Sequence, residues 1–421
     1  MIIPHEVGVP GLKKALILLV FLLPASLILL SCGGYSSPSG GGSGIKYRAF
    51  ITNNVSAGTG LAGVYIVDAA KDVRGAFSPI SAGNTPGMMV LTPNRNLTLV
   101  FSGNGTQFSD NQFTVINNAT ETAIGHQTLP GLTDSFVVSP DSSAAYIAVP
   151  TAPVIGQSPG VVKAISLNTG TFTGEVDIPS AHYLVIDNGG NRILAFSDNS
   201  DSVAVITPSN IGIGNAVTPV GGFDRPVAAF FSSDDTTAYV VNCGAECGGT
   251  TPSVQTLDLT TNTAGPASNV PAATVALVSN STMYLAGTAP CTTQNVQTTC
   301  GELTTFDLAS MQVIGSPVSI TDGYHNRIAL GANGRLFIGA RTCSQGLCLS
   351  IYNTQTGVVV IPPATGDVTG IQPIATRTVV YVTQGGTLYI YDTNTDAVDA
   401  VEEQKLSNLI GDFVDVKTID F

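Results

Sequence analysis

The chain repeats one unit from end to end, and this repeat restricts its fold more than any other feature. Short strand-like segments with a central aromatic residue or leucine recur at intervals of 44 to 53 residues. Each is followed by a polar loop, a second alternating segment that ends in Asp or Asn, and a turn. The central residues are Phe50, Leu99, Tyr146, Leu194, Tyr239, Tyr284, Phe337 and Tyr381. A period of about 45 residues with four short strands per unit is typical of a β-propeller.

The number of units predicts the number of blades. Eight copies indicate an all-β propeller of eight four-stranded antiparallel blades, and seven blades are the alternative if one divergent copy is an insertion. The chain starts on the second strand of a unit, "RAFITN", and its tail, "GDFVDVKTIDF", resembles the strand that elsewhere precedes that one. We therefore expect the C-terminal strand to complete the first blade and close the ring. The segment "EEQKLSNLIG" alone suggests a helical turn.

Three of the repeated segments carry a family resemblance. They are similar to the YVTN-type repeats of surface-layer and lactonase-like propellers, and Asn242 keeps the Asn of that pattern. The segments are "SPDSSAAYIAV", "TAYVVN" with "SVQTLDLTTNTAG", and "VVYVTQGGTLYIYDTNTDAV". The segments "YIAV", "YLAG" and "FIGA" depart from the pattern. The resemblance implies a propeller fold and an extracytoplasmic role, but no reaction, since propellers host many unrelated functions.

The N-terminus has the layout of an export signal. Lys13 and Lys14 precede an apolar run of 16 residues that contains Pro24, and "SCGG" follows. The run is short for a membrane span of about 20 residues. The end "LLSC" resembles the lipobox of bacterial lipoproteins, and this resemblance implies cleavage before Cys32 and lipid attachment to it. An ordinary signal peptide with an incidental cysteine is the alternative.

The composition then divides the chain into three parts. Residues 1–31 are the predicted lipoprotein signal peptide, residues 32–45 the lipidated cysteine with a flexible Gly/Ser tether, and residues 46–421 the propeller. Without residues 1–31 the chain holds 14 basic and 28 acidic residues, a formal net charge of −14. Since it also lacks a basic stripe, we expect no nucleic-acid partner. We expect a monomer that is anchored to the membrane in the bacterial cell envelope, on its periplasmic or cell-surface face.

Six cysteines remain after Cys32, and they fall into three local pairs. Each pair lies in the loop between the two repeated segments, in three consecutive units. The pairs are Cys243 with Cys247, Cys291 with Cys300, and Cys343 with Cys348. Their spacing does not fit the clustered CxxC pairs of zinc sites or the CxxC motif of thiol redox proteins. In an oxidising compartment such pairs are typical of disulfides that hold loops in place, with metal ligands or free thiols as alternatives.

Candidate binding residues lie where the innermost strands should begin, at the mouth of the central channel. Histidine and carboxylate are the usual acid–base and metal-ligand types, and together with arginine they can bind a polar ligand. The candidates are Asp134, His182, Arg225, His325, Asn326 and Asp412. The alternative is that a wet channel mouth carries polar residues without any function. No catalytic, metal-binding or phosphate-binding motif is recognisable, so we predict no catalytic residues, no metal and no cofactor.

Three functions are compatible with these patterns. The favoured one is a membrane-anchored scaffold that binds envelope proteins or a surface polymer. The second is a lactonase-like hydrolase with His182, Arg225 and His325 near its site. The third is a structural surface-layer component without a small ligand. Convergence of the candidate residues in one mouth would favour ligand binding.

Overall fold

Thirty-two β-strands build eight four-stranded antiparallel sheets in the computed structural model, which describes residues 42–54, 61–291 and 299–420. Each sheet is one blade, and the innermost strands of successive blades pack side by side around a central channel. The predicted eight-bladed propeller is therefore confirmed, and each repeated unit contributes one blade.

The first four blades follow the chain order, except that the innermost strand of blade 1 comes from the C-terminus. Blade 1 contains β1 (Arg48–Asn53), β2 (Gly63–Asp68), β3 (Val73–Arg74) and β32 (Phe413–Thr418). Blade 2 contains β4 (Pro86–Leu91), β5 (Leu97–Ser102), β6 (Gln112–Asn117) and β7 (Thr122–Thr128). Blade 3 contains β8 (Ser135–Val138), β9 (Ala144–Val149), β10 (Val161–Ser166) and β11 (Thr171–Asp177). Blade 4 contains β12 (Ala181–Ile186), β13 (Ile193–Ser197), β14 (Ser202–Ile206) and β15 (Val217–Gly221).

The last four blades each run from the channel outwards. Blade 5 contains β16 (Pro226–Phe231), β17 (Thr237–Asn242), β18 (Ser253–Asp258) and β19 (Thr263–Asn269). Blade 6 contains β20 (Val275–Ser279), β21 (Thr282–Pro290), β22 (Thr299–Asp307) and β23 (Gln312–Ile320). Blade 7 contains β24 (Tyr324–Leu330), β25 (Arg335–Arg341), β26 (Leu349–Asn353) and β27 (Val359–Val360). Blade 8 contains β28 (Val368–Pro373), β29 (Val379–Gln384), β30 (Thr387–Asp392) and β31 (Ala397–Val398).

One short α-helix, α1 (Ala400–Lys405), follows β31. The Asp399 carboxylate accepts hydrogen bonds from the backbone N–H groups of Val401 and Glu402 at 3.1 and 3.2 Å and so caps its first turn. The helix begins two residues before the predicted helical segment and ends within it. Single 3-10 turns cover Pro208–Asn210, Gly244–Cys247 and Ala332–Gly334. Across the described part of the chain, no helix has the length and apolar character needed to cross a membrane.

The core lies between neighbouring blades rather than inside any one of them. In the gap between blades 2 and 3, Phe113 of β6 meets Phe136 of β8 edge-on, with ring centroids 5.5 Å apart. The middle strands are covered on both faces, so β1 and β29 are buried along almost their whole length. The outermost strand β11 instead alternates between exposed and partly buried residues. This difference explains why the second strand of each unit gives the clearest repeat in the sequence.

The ring closes through the two ends of the domain, as predicted. Strand β32 pairs antiparallel with β1, and Val416 lies opposite Ile51 while Phe413 lies opposite Asn53. The Phe413 and Val416 side chains are buried in the core between blades 8 and 1. At the other end, the backbone N–H and hydroxyl of Ser43 donate hydrogen bonds to the Glu121 carboxylate. The last residues of the predicted tether therefore contact the propeller.

All three predicted disulfides are confirmed. They join Cys243 to Cys247, Cys291 to Cys300 and Cys343 to Cys348. Each follows the second strand of its blade, in blades 5, 6 and 7, and so lies at the end of the ring where the innermost strands begin. The predicted signal peptide and Cys32 lie outside the described residues.

Candidate functional site

The starts of the innermost strands surround a cavity of about 510 Å³, here called the main cavity. Its charged lining residues are Asp134, His182, Arg327, Arg341 and Asp415. A second cavity of about 300 Å³ lies beside it and is lined by Arg225 and Glu246. Both cavities share His182, Tyr183 and Tyr324. The main cavity has the size of a site for a small molecule.

Repeated β-bulges shape this mouth. Six of the described innermost strands contain a bulge near their N-terminal end, where they have one residue more than the strand with which they pair. These strands are β4, β12, β16, β24, β28 and β32. In β12 the bulge brings both His182 and Tyr183 to the cavity wall, and in β24 it does the same for Asn326 and Arg327. Regular strand alternation would turn only one residue of each couple towards the channel.

His182 bridges two blades through two carboxylates. Its Nδ1 lies 2.8 and 2.9 Å from the two carboxylate oxygens of Asp198, and its Nε2 lies 3.2 Å from Oδ2 of Asp134. The ring also stacks on Tyr183 with a centroid distance of 4.4 Å. An ionised carboxylate can only accept hydrogen bonds, so both ring nitrogens donate when both contacts are made. This geometry favours the imidazolium form of His182.

The pKa shifts at this bridge agree with its geometry. Burial acts to lower the pKa of His182, but the hydrogen bonds and charges of Asp134 and Asp198 outweigh it and raise the pKa above 6.5. In return, the hydrogen bond from His182 lowers the pKa of Asp134. The pKa shift and the two hydrogen bonds therefore both favour the protonated form of His182 in the wall of the two cavities.

Two tyrosines span the mouth between blades 4 and 7. The hydroxyl groups of Tyr183 and Tyr324 lie close enough to affect each other's pKa, and both side chains line both cavities. Burial raises the pKa of both phenols, so they stay neutral at physiological pH. This pair, here called the tyrosine bridge, separates the main cavity from the second one.

Two arginines of blade 7 face the main cavity and form no ion pair with any described residue. Arg327 donates from Nε to the backbone oxygen of Thr369 at 2.7 Å and from Nη1 to that of Asn326 at 2.9 Å. The Nε of Arg341 is buried and makes no hydrogen bond within the described residues. Burial in the cavity wall lowers the pKa of Arg327, Asp415 opposes this shift, and the nearby charge of Arg341 adds to it.

The acidic residues of the main cavity are already paired. Asp415 accepts hydrogen bonds from Lys417 Nζ and from the backbone N–H of Met89, both at 2.9 Å. Asp134 is bound to His182, as described above. The mouth therefore combines two acids that are paired with basic side chains and two guanidinium groups that have no acidic partner in the described part of the chain.

The disulfide of blade 5 positions Glu246 in the second cavity. Glu246 belongs to the 3-10 turn inside the Cys243–Cys247 loop, and its carboxylate accepts the backbone N–H of Thr288 at 2.7 Å. Burial raises the pKa of Glu246 to about 7, although the Thr288 hydrogen bond acts to lower it. Gly244 in this turn has a φ of +59°, and a side chain there would meet the backbone of Pro252. The turn therefore requires this glycine, and the disulfide closes the loop that contains it.

The structure brings four of the six predicted candidates to the mouth. Asp134, His182 and Asn326 line the main cavity, and Arg225 lines the second one, where it pairs with Asp201 at 3.3 Å. Whether these residues bind a ligand stays a prediction.

The other two predicted candidates lie elsewhere. His325 is completely buried and contacts the backbone oxygen of Thr321 through Nε2 at 2.9 Å. Burial lowers its pKa to about 4. The bulge in β24 explains its position, because Asn326 rather than His325 matches His182 of β12 in register. Asp412 lines neither cavity; its backbone N–H donates to the Asn53 side chain at 2.7 Å where the ring closes.

Sequence reasoning missed several residues of the mouth. These are Tyr183, Glu246, Tyr324, Arg327, Arg341 and Asp415. Four of them lie one to three residues from a predicted candidate, so the sequence positions next to the candidates were the available signal for them. Glu246 lies inside the Cys243–Cys247 loop, and Arg341 lies two residues before Cys343. The paired cysteines are therefore the sequence feature that could have indicated these two residues. In the described part of the chain, no group of three or more His, Cys, Asp or Glu side chains is placed to hold a metal ion.

Comparisons with known proteins support the fold alone. No family model matches the sequence, and no curated protein matches it. The solved structure titled Dihydro-heme d1 dehydrogenase NirN in complex with DHE matches with a TM-score of 0.62 and 11% identity, over 91% of this chain and 77% of that one. Hydrazine synthase of Kuenenia stuttgartiensis matches with a TM-score of 0.56 and 13% identity, over 76% of this chain and 99% of that one.

A third structural match comes from a different kind of protein. The β-propeller domain of Cps50 (Swd1) from Myceliophteria thermophila has a TM-score of 0.51 and 9% identity, over 72% of this chain and 95% of that one. At such low identities the shared property is the propeller architecture. The YVTN-type resemblance has no support from these comparisons and stays a prediction.

Proposed function

We propose that this protein is an exported, lipid-anchored β-propeller of the bacterial cell envelope that binds a small polar ligand at its channel mouth. The observation that carries the proposal is an incomplete set of hydrogen bonds in the main cavity. Asn326 Oδ1 and Arg341 Nε are buried there without a partner among the described residues. A buried polar atom without a partner costs about 1–3 kcal/mol. A bound ligand that supplies the missing partners would remove this cost.

The geometry favours binding over hydrolysis. A general base must offer a free nitrogen or oxygen to the proton that it takes. Both nitrogens of His182 are engaged by Asp134 and Asp198, and His325 is buried away from both cavities. The histidines that the lactonase-like alternative requires are therefore not placed for proton transfer.

Export and anchoring have separate support. Three disulfides are typical of proteins that mature in an oxidising compartment. Together with the apolar segment that precedes Ser31 and Cys32, they favour attachment to the envelope by a lipid on that cysteine. Mass spectrometry of the mature N-terminal peptide tests this, and we expect a lipid-modified Cys32 in the membrane fraction. An unmodified Cys32 in the soluble fraction would refute the anchor, and Cys32→Ser is the matched variant.

A thermal-shift screen tests the mouth as a binding site. Gly87 lines the main cavity, and a Cβ there would make ordinary contacts with the Phe101 oxygen at 3.5 Å and Val414 Cγ1 at 3.9 Å. Gly87→Leu should therefore fold and fill part of the cavity. Gly125 lies on the outer strand β7, where an added Cβ would meet no atom within 4 Å, so Gly125→Leu is the matched control.

The screen should contain neutral sugars, amino acids, cations and organic anions. We expect at least one class to raise the melting temperature of the wild type and of Gly125→Leu, but not that of Gly87→Leu. If no class stabilises the protein, or if Gly87→Leu responds like the wild type, the mouth is not a binding site. The remaining hypothesis is then a partner that contacts the rim, and a pull-down of envelope proteins or surface polymer with residues 45–421 tests it.

A further inference from the structure

We infer that the main cavity binds a small organic anion, whose carboxylate or phosphate group is held by Arg327 and Arg341. This inference rests on the proposed function, because it names the class of ligand for the same cavity. It depends on three features of the mouth, which are the unpaired charge of the two arginines, their free donor groups and the apolar surface opposite the polar wall.

The first feature is the unpaired positive charge. Three other partly buried arginines in the described structure have carboxylate partners: Arg48 pairs with Asp420, Arg335 with Asp396 and Arg377 with Asp72. Arg327 and Arg341 form no such pair within the described residues, although the domain is strongly acidic. Two neighbouring cations beside a cavity are stabilised by an anion that enters it.

The second feature is the number of donors that remain free. An arginine carries five N–H donors in a planar fork that matches the oxygens of carboxylate and phosphate. Arg327 uses Nε and Nη1 to bind backbone oxygens, which orients its guanidinium and leaves Nη2 without a protein partner among the described residues. Arg341 makes no side-chain hydrogen bond to any described residue, and its Nε is buried. The two side chains can therefore donate to an oxyanion from one wall of the cavity.

The position of the two arginines is also fixed. They lie on the adjacent strands β24 and β25 of blade 7, and the Arg341 charge is close enough to affect the titration of Arg327. Directly after Arg341, the backbone N–H of Thr342 donates to the Asp367 carboxylate at 2.8 Å, and the Cys343–Cys348 disulfide closes the following loop. The wall that carries both cations is therefore preorganised, which lowers the entropy cost of binding.

The third feature is the apolar surface of the same cavity. Met88, Phe101, Leu132 and Val414 line it from blades 1 to 3, whereas both arginines come from blade 7. A ligand with an anionic group at one end and an apolar or aromatic body would contact both parts of the lining. An inorganic ion alone would leave the apolar part in contact with water.

Three aromatic probes separate charge from shape. Benzoate carries a carboxylate, phenyl phosphate carries a phosphate, and benzamide is a neutral molecule of nearly the same shape as benzoate. We expect saturation-transfer NMR and calorimetry on the intact domain to show binding of at least one anion and weaker or no binding of benzamide. Comparison of benzoate with phenyl phosphate then identifies the preferred anionic group. Added salt should weaken the binding of the anion.

Two variants test the arginine wall independently of each other. Arg341→Gln removes a cation that makes no described hydrogen bond, and Asn326→Asp adds a negative charge to the wall without a change of shape. We expect each to weaken anion binding about tenfold or more, the effect of one charge-assisted hydrogen bond. The matched controls are Arg335→Gln, at the opposite end of β25, and Asn210→Asp, on an outer turn of blade 4. Both controls should bind the anions like the wild type.

The outcomes distinguish this inference from the proposed function. If benzamide or a neutral sugar binds as well as the anions, and Gly87→Leu abolishes that binding, the mouth is a binding site but the anion assignment is wrong. If anions bind equally to the wild type, Arg341→Gln and Asn326→Asp, the arginine wall is not their site. If no class of compound binds, the proposed function fails together with this inference.

Discussion

At the scale of single residues, the mouth shows how environment sets the charge of a side chain. His182 and His325 are each the second residue of an innermost strand. Carboxylates surround the first, which raises its pKa, whereas burial lowers the pKa of the second to about 4. Residue type and sequence position therefore do not determine whether a histidine of this ring carries charge.

The two histidines should titrate in separate pH ranges. We expect NMR of the imidazole nitrogens to show His182 protonated to above pH 6.5, and His325 neutral until the pH falls to about 4. His182→Gln and His325→Gln assign the signals. Two histidines that titrate together near pH 6.5 would contradict both environments.

The same shifts have opposite effects on stability. Because the pKa of His182 is raised, its contribution to folding stability is fully present below pH 6.5. That contribution is lost as the pH rises through the pKa of the folded state. The lowered pKa of His325 destabilises the fold as the pH falls from 6.5 to about 4, because unfolding then releases a histidine that takes up a proton.

Glu246 gives a second prediction at this scale. Its pKa rises from 4.5 to about 7 in the folded state, so the fold loses stability as the pH increases between these values. Glu246→Gln keeps an acceptor for the Thr288 N–H and removes the buried charge. We expect the variant to be more stable than the wild type at pH 8 by roughly 1–2 kcal/mol, and to have no such advantage at pH 4. This range takes into account that water in the cavity screens the Glu246 charge.

Urea denaturation at the two pH values measures this difference. Glu175→Gln, at an exposed position on the outer strand β11, serves as a control for the loss of one carboxylate. A stability difference for Glu246→Gln that is the same at pH 4 and pH 8 would show that the Glu246 carboxylate is not buried as described.

At the scale of strands and loops, the repeat predicts the strands but not their bulges. The quoted segment at Arg48–Asn53 is β1, and the segment at Val379–Gln384 is β29, residue for residue. Apolar alternation and turn residues are local properties, so they are visible in the sequence. A bulge depends on how two strands pair, and no local pattern marks it. The prediction therefore named His325 beside Asn326 and missed Arg327, whereas the bulge brings Asn326 and Arg327 to the cavity.

The disulfide loops contribute to the site beyond their effect on stability. The Cys343–Cys348 loop begins two residues after Arg341, and its removal should let that arginine move. We expect Cys343→Ala with Cys348→Ala to cost about 2 kcal/mol of folding stability, as loop entropy predicts. We also expect the double variant to weaken anion binding, measured by calorimetry on the folded protein.

Blade 6 supplies the matched control for this experiment. Cys291 and Cys300 close a longer loop, and the described residues of blade 6 line neither cavity. Cys291→Ala with Cys300→Ala should therefore lose at least as much stability and bind the anion normally. Equal loss of binding in both double variants would mean that the disulfides act only through global stability.

At the scale of the whole molecule, blade 1 is the blade made from both ends of the domain, and ion pairs tie it to both neighbours. Arg48 of β1 binds Asp420 with two hydrogen bonds of 2.6 Å and binds Glu121 of blade 2 at 2.9 Å. On the other side, the buried Asp72 accepts two hydrogen bonds from Arg377 of blade 8, at 2.7 and 2.5 Å. Ion pairs therefore reinforce the ring at blade 1, which is built from two separate parts of the chain.

Ring closure also decides which residues form the site. The main cavity takes residues from blades 7 and 8 and from blades 1 to 4, which are far apart in sequence. The sequence predicts that innermost strands begin at a common mouth, so Asp134 and His182 could be named as neighbours. It does not reveal that Tyr183 and Tyr324 meet across the channel, because that contact depends on the diameter of the closed ring.

The last strand should be essential for this closed state. Deletion of residues 411–421 removes Phe413, Val416 and Ile419, which are buried almost completely. At about 1.5–3 kcal/mol for each side chain, the loss approaches the whole stability of a typical domain, about 5–15 kcal/mol. It also exposes the edge of β1. We expect the truncated protein to melt at a much lower temperature and to lose anion binding, since Asp415 and Val414 leave the cavity with the strand.

A synthetic peptide of residues 411–421 separates closure from general destabilisation. Strand β32 pairs with β1 through backbone hydrogen bonds, so the peptide should add to the open edge and restore both the melting temperature and the binding of the anion. A peptide of the same composition in scrambled order should restore neither, because its apolar residues would not face the cores of blades 8 and 1. An unchanged melting temperature of the truncated protein without peptide would refute the closure of the ring by its C-terminal strand.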